Sequence, residues 1–258
     1  MLLCCKVYIS ESRNKEALDL IERAAKCEPE TIIVNKFMDH DYNRVAYTLV
    51  SYVAHDSIGC PIYTPLQQSA VAMAGAAYEA INLESHCGAH PRLGVIDDIV
   101  CHPLGRASLD EAAWLAKTIA SDVGNRFQVP VYLYAAAHPT GKALETIRRE
   151  LGYYRPNYMG NHWADVLAAK RIALMVSGRG GGLPTVQTLG LVHGEDTTEI
   201  ACMLLEPNQI GADRVQKQVE MLAAQEGLDV EKGYFTDLSP EMIVERYMKL
   251  ISADSFLN

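Results

Sequence analysis

The chain has 258 residues, 49% hydrophobic and 21% charged, a balance that supports one large or two smaller packed domains and excludes a disordered polypeptide. Its formal charge of −9 argues against nucleic acid or an anionic membrane as primary partner, and no apolar run reaches the roughly 18–20 residues that span a bilayer. An anionic small molecule stays open, because a local group of cations acts independently of net charge.

Met1–Tyr8 is too short for a signal-peptide core and lacks a basic leader, so it reads as a first strand over residues 2–9. Asn14 can cap a helix that carries Ala17, Leu18, Ile21, Ala24 and Ala25 on one stripe, and Pro29 ends it. Thr31–Val34 is a short strand. The polar loop Asp39–Arg44 leads into a second, Val45–Val53. Beyond Pro65, the spacing of Leu66, Ala70, Met73, Ala77 and Ile81 predicts a helix.

The stretch His86–Asp98 crowds two histidines, an arginine and two carboxylates around glycines, and an apolar strand over Val95–Val100 follows. Ser108 with Glu111 is a capping box, opening a helix expected to bury Leu109, Ala112, Ala116, Ile119, Val123 and Phe127. Val129–Tyr134 reads as another strand. The order so far, β-α-β-β-α-β-α-β, implies a mixed sheet with helices packed on it.

Residues 135–161, rich in Pro, Gly, Asn and Tyr, form a candidate linker, so the division falls at 1–160 and 161–258. A helix over 164–177 with Leu167, Ala168, Ile172 and Met175 inward ends at Gly178–Gly182, read as a flexible exit. Thr185–His193 and Glu199–Leu205 are strands joined by the turn Gly194-Glu195-Asp196. A helix with Val215, Val219 and Leu222 ends near Gly227, a short strand lies at Tyr234-Phe235, and Ser239 with Pro240 starts a last helix burying Ile243, Tyr247 and Leu250. The second half therefore lacks the leading strand of the first.

Seven scattered cysteines with no Cys-x-x-Cys pair predict free thiols in a reducing, cytoplasmic compartment. His86, Cys87, His90, Cys101 and His102 match no zinc spacing, so no metal is expected. His90 is the best candidate acid/base, since an imidazole exchanges protons near neutrality. Arg92 offers a fork for a carboxylate, and Asp97 could orient the ring. Asp39, Asp41, Asn43 and Arg44, at strand ends, suit a polar heterocycle, although Asp and Asn also favour plain turns. A nucleophilic Cys87–His90 dyad is a remoter alternative.

His90-Pro91-Arg92-Leu93-Gly94-Val95-Ile96-Asp97, with Asp41-Tyr42-Asn43-Arg44 ahead of Tyr47-Thr48, and Val129–Tyr134, resembles the formiminotransferase family, most closely plant members without a cyclodeaminase domain. The resemblance implies an α+β fold of two ferredoxin-like subdomains, with substrates bound between them. It implies transfer of a formimino (or formyl) group between glutamate and tetrahydrofolate, the latter a co-substrate, with N-formiminoglutamate as the other small-molecule partner. His90 and Asp97 would be catalytic; Ser10, Glu11, Arg13, Asp39, Asp41, Asn43, Arg44, Arg92 and Gly94 would bind the substrates.

The family's Asn-Phe-Ser-Glu-Gly-Arg stands here as Tyr8-Ile9-Ser10-Glu11-Ser12-Arg13, and Gln-Val-Ser-x-Asn as Glu199–Met203. The segment carrying Gly-Ala-Arg and the first strand of the second subdomain is missing after Asn161-His162-Trp163. A deletion there leaves sheet edges that a second copy of the chain could cover, and it sets a non-catalytic folate-binding or assembly protein beside the enzyme as the rival reading.

Overall fold

The computed structural model describes residues 1–154, 163–194 and 196–254, and it is an α+β fold divided into two compact units. The first comprises Met1–Cys87, Pro91–Arg155 and Thr236–Asn258; the second comprises Gly88–His90 and Pro156–Phe235. No helix among the described residues is long and apolar enough to cross a membrane.

In the first unit, β1 (Leu2–Ile9), β2 (Ile32–Asp39) and β3 (Arg44–Tyr52) join β6 (Ile96–Leu104) in one sheet of order β2-β3-β1-β6. A small hairpin, β4 (Ala54–His55) with β5 (Pro61–Tyr63), follows β3. Every pairing in the four-stranded sheet is antiparallel, so the mixed sheet expected from element order is not formed. Helices α1 (Lys15–Ala25), α2 (Pro65–Ala80) and α3 (Leu109–Phe127) cover one face. Because strand side chains alternate, Leu3, Cys5, Val7 and Ile9 enter this helix-covered core, while Cys4, Lys6 and Tyr8 point to the other face. The Asn14 cap and the Ser108–Glu111 capping box both form. Leu109 nevertheless lies 60% exposed, and the inward face of α3 is carried by Ala112, Leu115, Ile119 and Val123.

Two further expectations fail in this unit. Residues 129–134 form no ladder with any described strand: Pro130 has no amide proton to donate, and Val131 and Tyr132 are exposed. The expected linker contains α4 (Leu144–Glu150), which buries Ile147; its last part, 155–161, lies outside the described residues.

In the second unit, α5 (Trp163–Val176) packs on the antiparallel hairpin of β7 (Val186–His193) and β8 (Thr197–Leu204), with α6 (Ala212–Gln225) completing the core. Among the described residues no strand precedes β7 in this unit. The inward face of α5 is Val166, Ala168, Ala169, Ile172, Ala173 and Val176, so Ala168 and Ile172 are buried as expected, while Leu167 and Met175 are exposed. Small residues face the hairpin because the backbones nearly touch: a Cβ on Gly190 of β7 would lie 2.6 Å from the Ala169 carbonyl carbon and the Lys170 amide nitrogen. Gly178–Gly182 is likewise a packing requirement and not a loose exit, since a Cβ on Gly178 would lie 2.5 Å from the Pro184 carbonyl oxygen, and Gly180 and Gly182 press on the carbonyls of Leu174 and Met175. Gly190→Ala is expected to cost about 1–3 kcal/mol through forced separation of strand and helix. Denaturant titration checks it; an unchanged midpoint would contradict the close approach.

Tyr234-Phe235 is not a strand, and both rings are exposed. The last helix, α7 (Pro240–Asp254), starts at Ser239 as expected, whose hydroxyl accepts from the Met242 amide. It packs in the first unit, where Ile243 and Tyr247 join Cys4, Val34, Val50 and Leu104 beneath the sheet. Leu250, one turn past Tyr247, is 41% exposed.

Candidate functional site

The loop after β1 and the turn after β2 meet at one end of the first unit's sheet. Glu11 turns one carboxylate oxygen back on its own loop, accepting from the amides of Ser12, Arg13 and Asn14 at 2.7–3.0 Å. Asn43, in the left-handed region at φ 49°, places its side-chain oxygen 2.8 Å from the Ser12 amide. Asp39 caps the 39–42 turn by accepting from the Tyr42 amide, and Asp41 lies in that same turn. Arg13 donates twice to the His40 carbonyl, at 2.6 and 2.9 Å, and once to the Cys87 carbonyl at 3.1 Å. The Ser10 hydroxyl donates to the Gly94 carbonyl at 2.8 Å. Ser10, Glu11, Arg13, Asp39, Asn43 and Gly94 are thus brought together, and their hydrogen bonds tie the three loops to one another.

A second cluster lies on the sheet face away from α1 and α2. Between Tyr8 and Ile9 the β1–β6 register slips, with Tyr8 opposite Asp98 and Ile9 opposite Ile96, so Asp97 is the extra residue of a bulge. A bulge re-aims side chains, and here two consecutive carboxylates become buried. Asp97, with no exposed side-chain surface, accepts from the Leu93 amide at 2.9 Å, Arg44 Nη1 at 2.6 Å and the Tyr153 hydroxyl at 3.2 Å. Asp98 accepts from the Tyr134 hydroxyl at 3.1 Å and Arg148 Nη2 at 3.2 Å. Arg44 sits over the Tyr8 ring and Arg148 over the Tyr153 ring. Burial works against the Arg44 charge, but Asp97 and Tyr153 outweigh it and leave its pKa raised. Burial likewise pushes the Asp98 carboxyl up, against the pull of Arg148.

Asp97 is therefore the anion of a closed network. Both its oxygens hold groups that fix the 91–94 loop and β3.

His90 itself is half-buried in the bend Ala89–His90 and groups with the second unit, whereas the chain from Pro91 onward belongs to the first. Arg92 is half-buried; its Nη2 donates to the His86 carbonyl at 3.2 Å, while Nη1 is buried and has no partner among the described residues. His86 meets the Asn43 carbonyl through Nε2 at 3.0 Å, and its Nδ1 is buried without a partner. Cys87 is exposed, and Cys101 and His102, as neighbours on β6, point to opposite faces.

Sequence reasoning missed Asp98, Tyr134, Arg148 and Tyr153. The available signal was the pair Asp97-Asp98 entering an apolar strand, because buried carboxylates demand cations and donors. Their suppliers lay in stretches read as a strand and a linker.

His102 marks the far end of this face. Its Nε2 is buried without a partner, and burial, reinforced by Lys6, lowers its pKa to about 4. Lys6 in turn pairs with Asp237. Since the folded pKa lies below the ordinary value, the unfolded chain binds the proton first. The contribution is therefore complete above about pH 6.5 and is lost as pH falls toward 4, amounting to up to about 3 kcal/mol. His102→Phe is expected to flatten that part of the stability–pH curve; an unaltered slope between pH 6.5 and 4 would contradict it.

A model of the formiminotransferase domain, N-terminal subdomain, matches residues 2–173, which include every residue of both clusters. The formiminotransferase cyclodeaminase-like protein of Arabidopsis thaliana is 44% identical, covering 98% of each chain. The glutamate formimidoyltransferase of Thermoplasma acidophilum is 24% identical over 98% of this chain and 94% of its own. The rat formimidoyltransferase-cyclodeaminase is 30% identical over 57% of this chain and only 26% of its own. The match covers well over half of the sequence, and this chain belongs to the formiminotransferase family.

Proposed function

We propose that this protein is a folate-dependent transferase that moves a formimino (or formyl) group between glutamate and tetrahydrofolate, with His90 as general acid/base. The observation that carries the reading is the family match over 2–173, which spans the whole His90–Asp97 motif. In the forward direction the N5 amine of tetrahydrofolate attacks the amidine carbon of N-formiminoglutamate. The N5–C bond forms, the bond from that carbon to the glutamate nitrogen breaks, and the proton lost by N5 ends on the departing nitrogen. One imidazole serves both proton movements, as base and then as acid. Arg92 is the cation with an unused donor in the adjoining loop. In this reading Asp97 is a positioning residue: through the Leu93 amide it holds the segment that follows His90-Pro91.

One observation favours a second reading, folate binding without turnover. The two relatives matched at full length align over 296 and 295 positions, more than the 258 residues of this chain, so both carry residues that it lacks. We place that gap after Asn161-His162-Trp163, where the second subdomain would otherwise begin with a strand. Isothermal titration with tetrahydrofolate, followed by assay of the same sample with N-formiminoglutamate, separates the readings. Binding with transfer supports the enzyme and binding alone supports the second reading; absence of binding would overturn both.

A further inference from the structure

Two buried polar atoms in the 86–94 loop are left over by the fold, and they are of opposite kind. Arg92 Nη1 is a donor without an acceptor. His86 Nδ1 faces no partner either, and its character follows from the other ring nitrogen. Nε2 sits 3.0 Å from the Asn43 carbonyl, which can only accept, so Nε2 carries the hydrogen and Nδ1 of the neutral ring presents a lone pair. Burial holds the His86 pKa below that of an ordinary histidine; the Asn43 carbonyl and Glu11 oppose this and Arg92 and Arg13 reinforce it, which favours the neutral ring. The 3.2 Å bond from Arg92 Nη2 to the His86 carbonyl keeps the guanidinium beside that residue.

An orphaned buried donor or acceptor forfeits the bonds it would make in water, and this loop carries one of each. A carboxylate would answer Arg92 but would set an anion against the Nδ1 lone pair. A group made only of donors would fail at Arg92. The complement is a carbonyl flanked by an N–H on the same edge.

We infer that His86 and Arg92 together form a subsite for a lactam edge, Arg92 Nη1 donating to its carbonyl and His86 Nδ1 accepting from its N–H. Resting on the function proposed above, the ligand edge is the 4-oxo/N3–H side of the pterin of tetrahydrofolate, which makes His86 a specificity-determining residue. Neither atom reaches solvent in this structure, so entry displaces part of the irregular loop that bears the exposed residues Cys87 and Leu93.

The test compares binding of tetrahydrofolate with that of its 2,4-diamino analogue, in which a donor replaces the carbonyl and N3 loses its hydrogen. The wild type is expected to bind the oxo form at least about tenfold more tightly, because a site built around a hydrogen bond rejects the ligand that cannot make it. His86→Leu should shrink that preference, and His86→Gln, whose amide oxygen can accept from N3–H, should restore much of it. Equal affinity of wild type for the two ligands would mean that the pair holds an ordered water only, and would overturn the subsite while leaving folate transfer intact. A preference untouched by His86→Leu would also overturn it. Should neither pterin bind, the proposed function itself fails and the subsite falls with it. If His86→Leu does not fold, the two-ligand comparison on the wild type still decides.

Discussion

His90→Ala is expected to lower turnover of N-formiminoglutamate with tetrahydrofolate by about 10²–10⁴-fold, the range that positioned acid–base groups supply. The argument is chemical. The attacking amine must shed a proton and the leaving nitrogen must gain one, and water at neutral pH is a poor agent for both. An imidazole is suited to both because its ordinary pKa, about 6.5, lies near the working pH. Folate affinity and thermal midpoint should change little, since His90 is half-buried in a bend and outside the cores of both units. Steady-state kinetics with a parallel melting curve separate lost chemistry from lost structure. Retained turnover in a folded His90→Ala protein would remove the imidazole from the mechanism.

Asp97→Ala is expected to destabilise the first unit by about 3–5 kcal/mol, the cost of leaving a buried cation without its partner. Arg44 would lose its anion, and the Leu93 amide and the Tyr153 hydroxyl would lose their acceptor, a carboxylate with no exposed surface. Arg148, already committed to Asp98 and over the Tyr153 ring, approaches Asp97 only to 4.0 Å. Asp97→Asn keeps an acceptor and should cost less. Combining Asp97→Ala with Arg44→Met should recover part of the loss, because the orphaned charge is then gone as well. Urea unfolding of the three variants measures this. A double variant no better than Asp97→Ala would contradict the pairing, and an Asp97→Ala protein as stable as wild type would contradict the burial.

Much of the first unit is legible from local rules, and the failures have identifiable causes. Asn14 and Ser108 announce their helices because a capping side chain must precede the first turn it serves. The alternation in Leu3, Cys5, Val7 and Ile9 marks a strand because one face is buried. Val129–Tyr134 looks like a strand by composition, but Pro130 withholds an amide proton and no described partner pairs with it.

Helix α5 keeps Ala168 and Ile172 inward as expected but turns Leu167 and Met175 out, because contact distance as well as hydrophobicity sets its inner face. Gly190 brings the strand backbone against Ala169 and Lys170, so small residues go inward and Leu167 goes out. Helix α7 is legible as a helix, but its place against β2 and the underside of the sheet is a long-range fact that no local pattern carries.

The candidate site divides in the same way. The residues singled out in loops, Ser10, Glu11, Arg13, Asp39, Asn43 and Gly94, do converge. The roles of Arg44 and Asp97 follow from a bulge and from tyrosines and an arginine more than 35 residues away, so a reading of the motif alone assigns them to ligand and imidazole.

The central claim is that this chain carries a formimino group between glutamate and a reduced folate. Its most direct test incubates the purified protein with N-formiminoglutamate and tetrahydrofolate and follows glutamate release alongside modified folate. The account predicts the two products in equal amounts and only when both substrates are present. Glutamate released without folate, or no product from a protein that melts cooperatively and binds tetrahydrofolate, would contradict it.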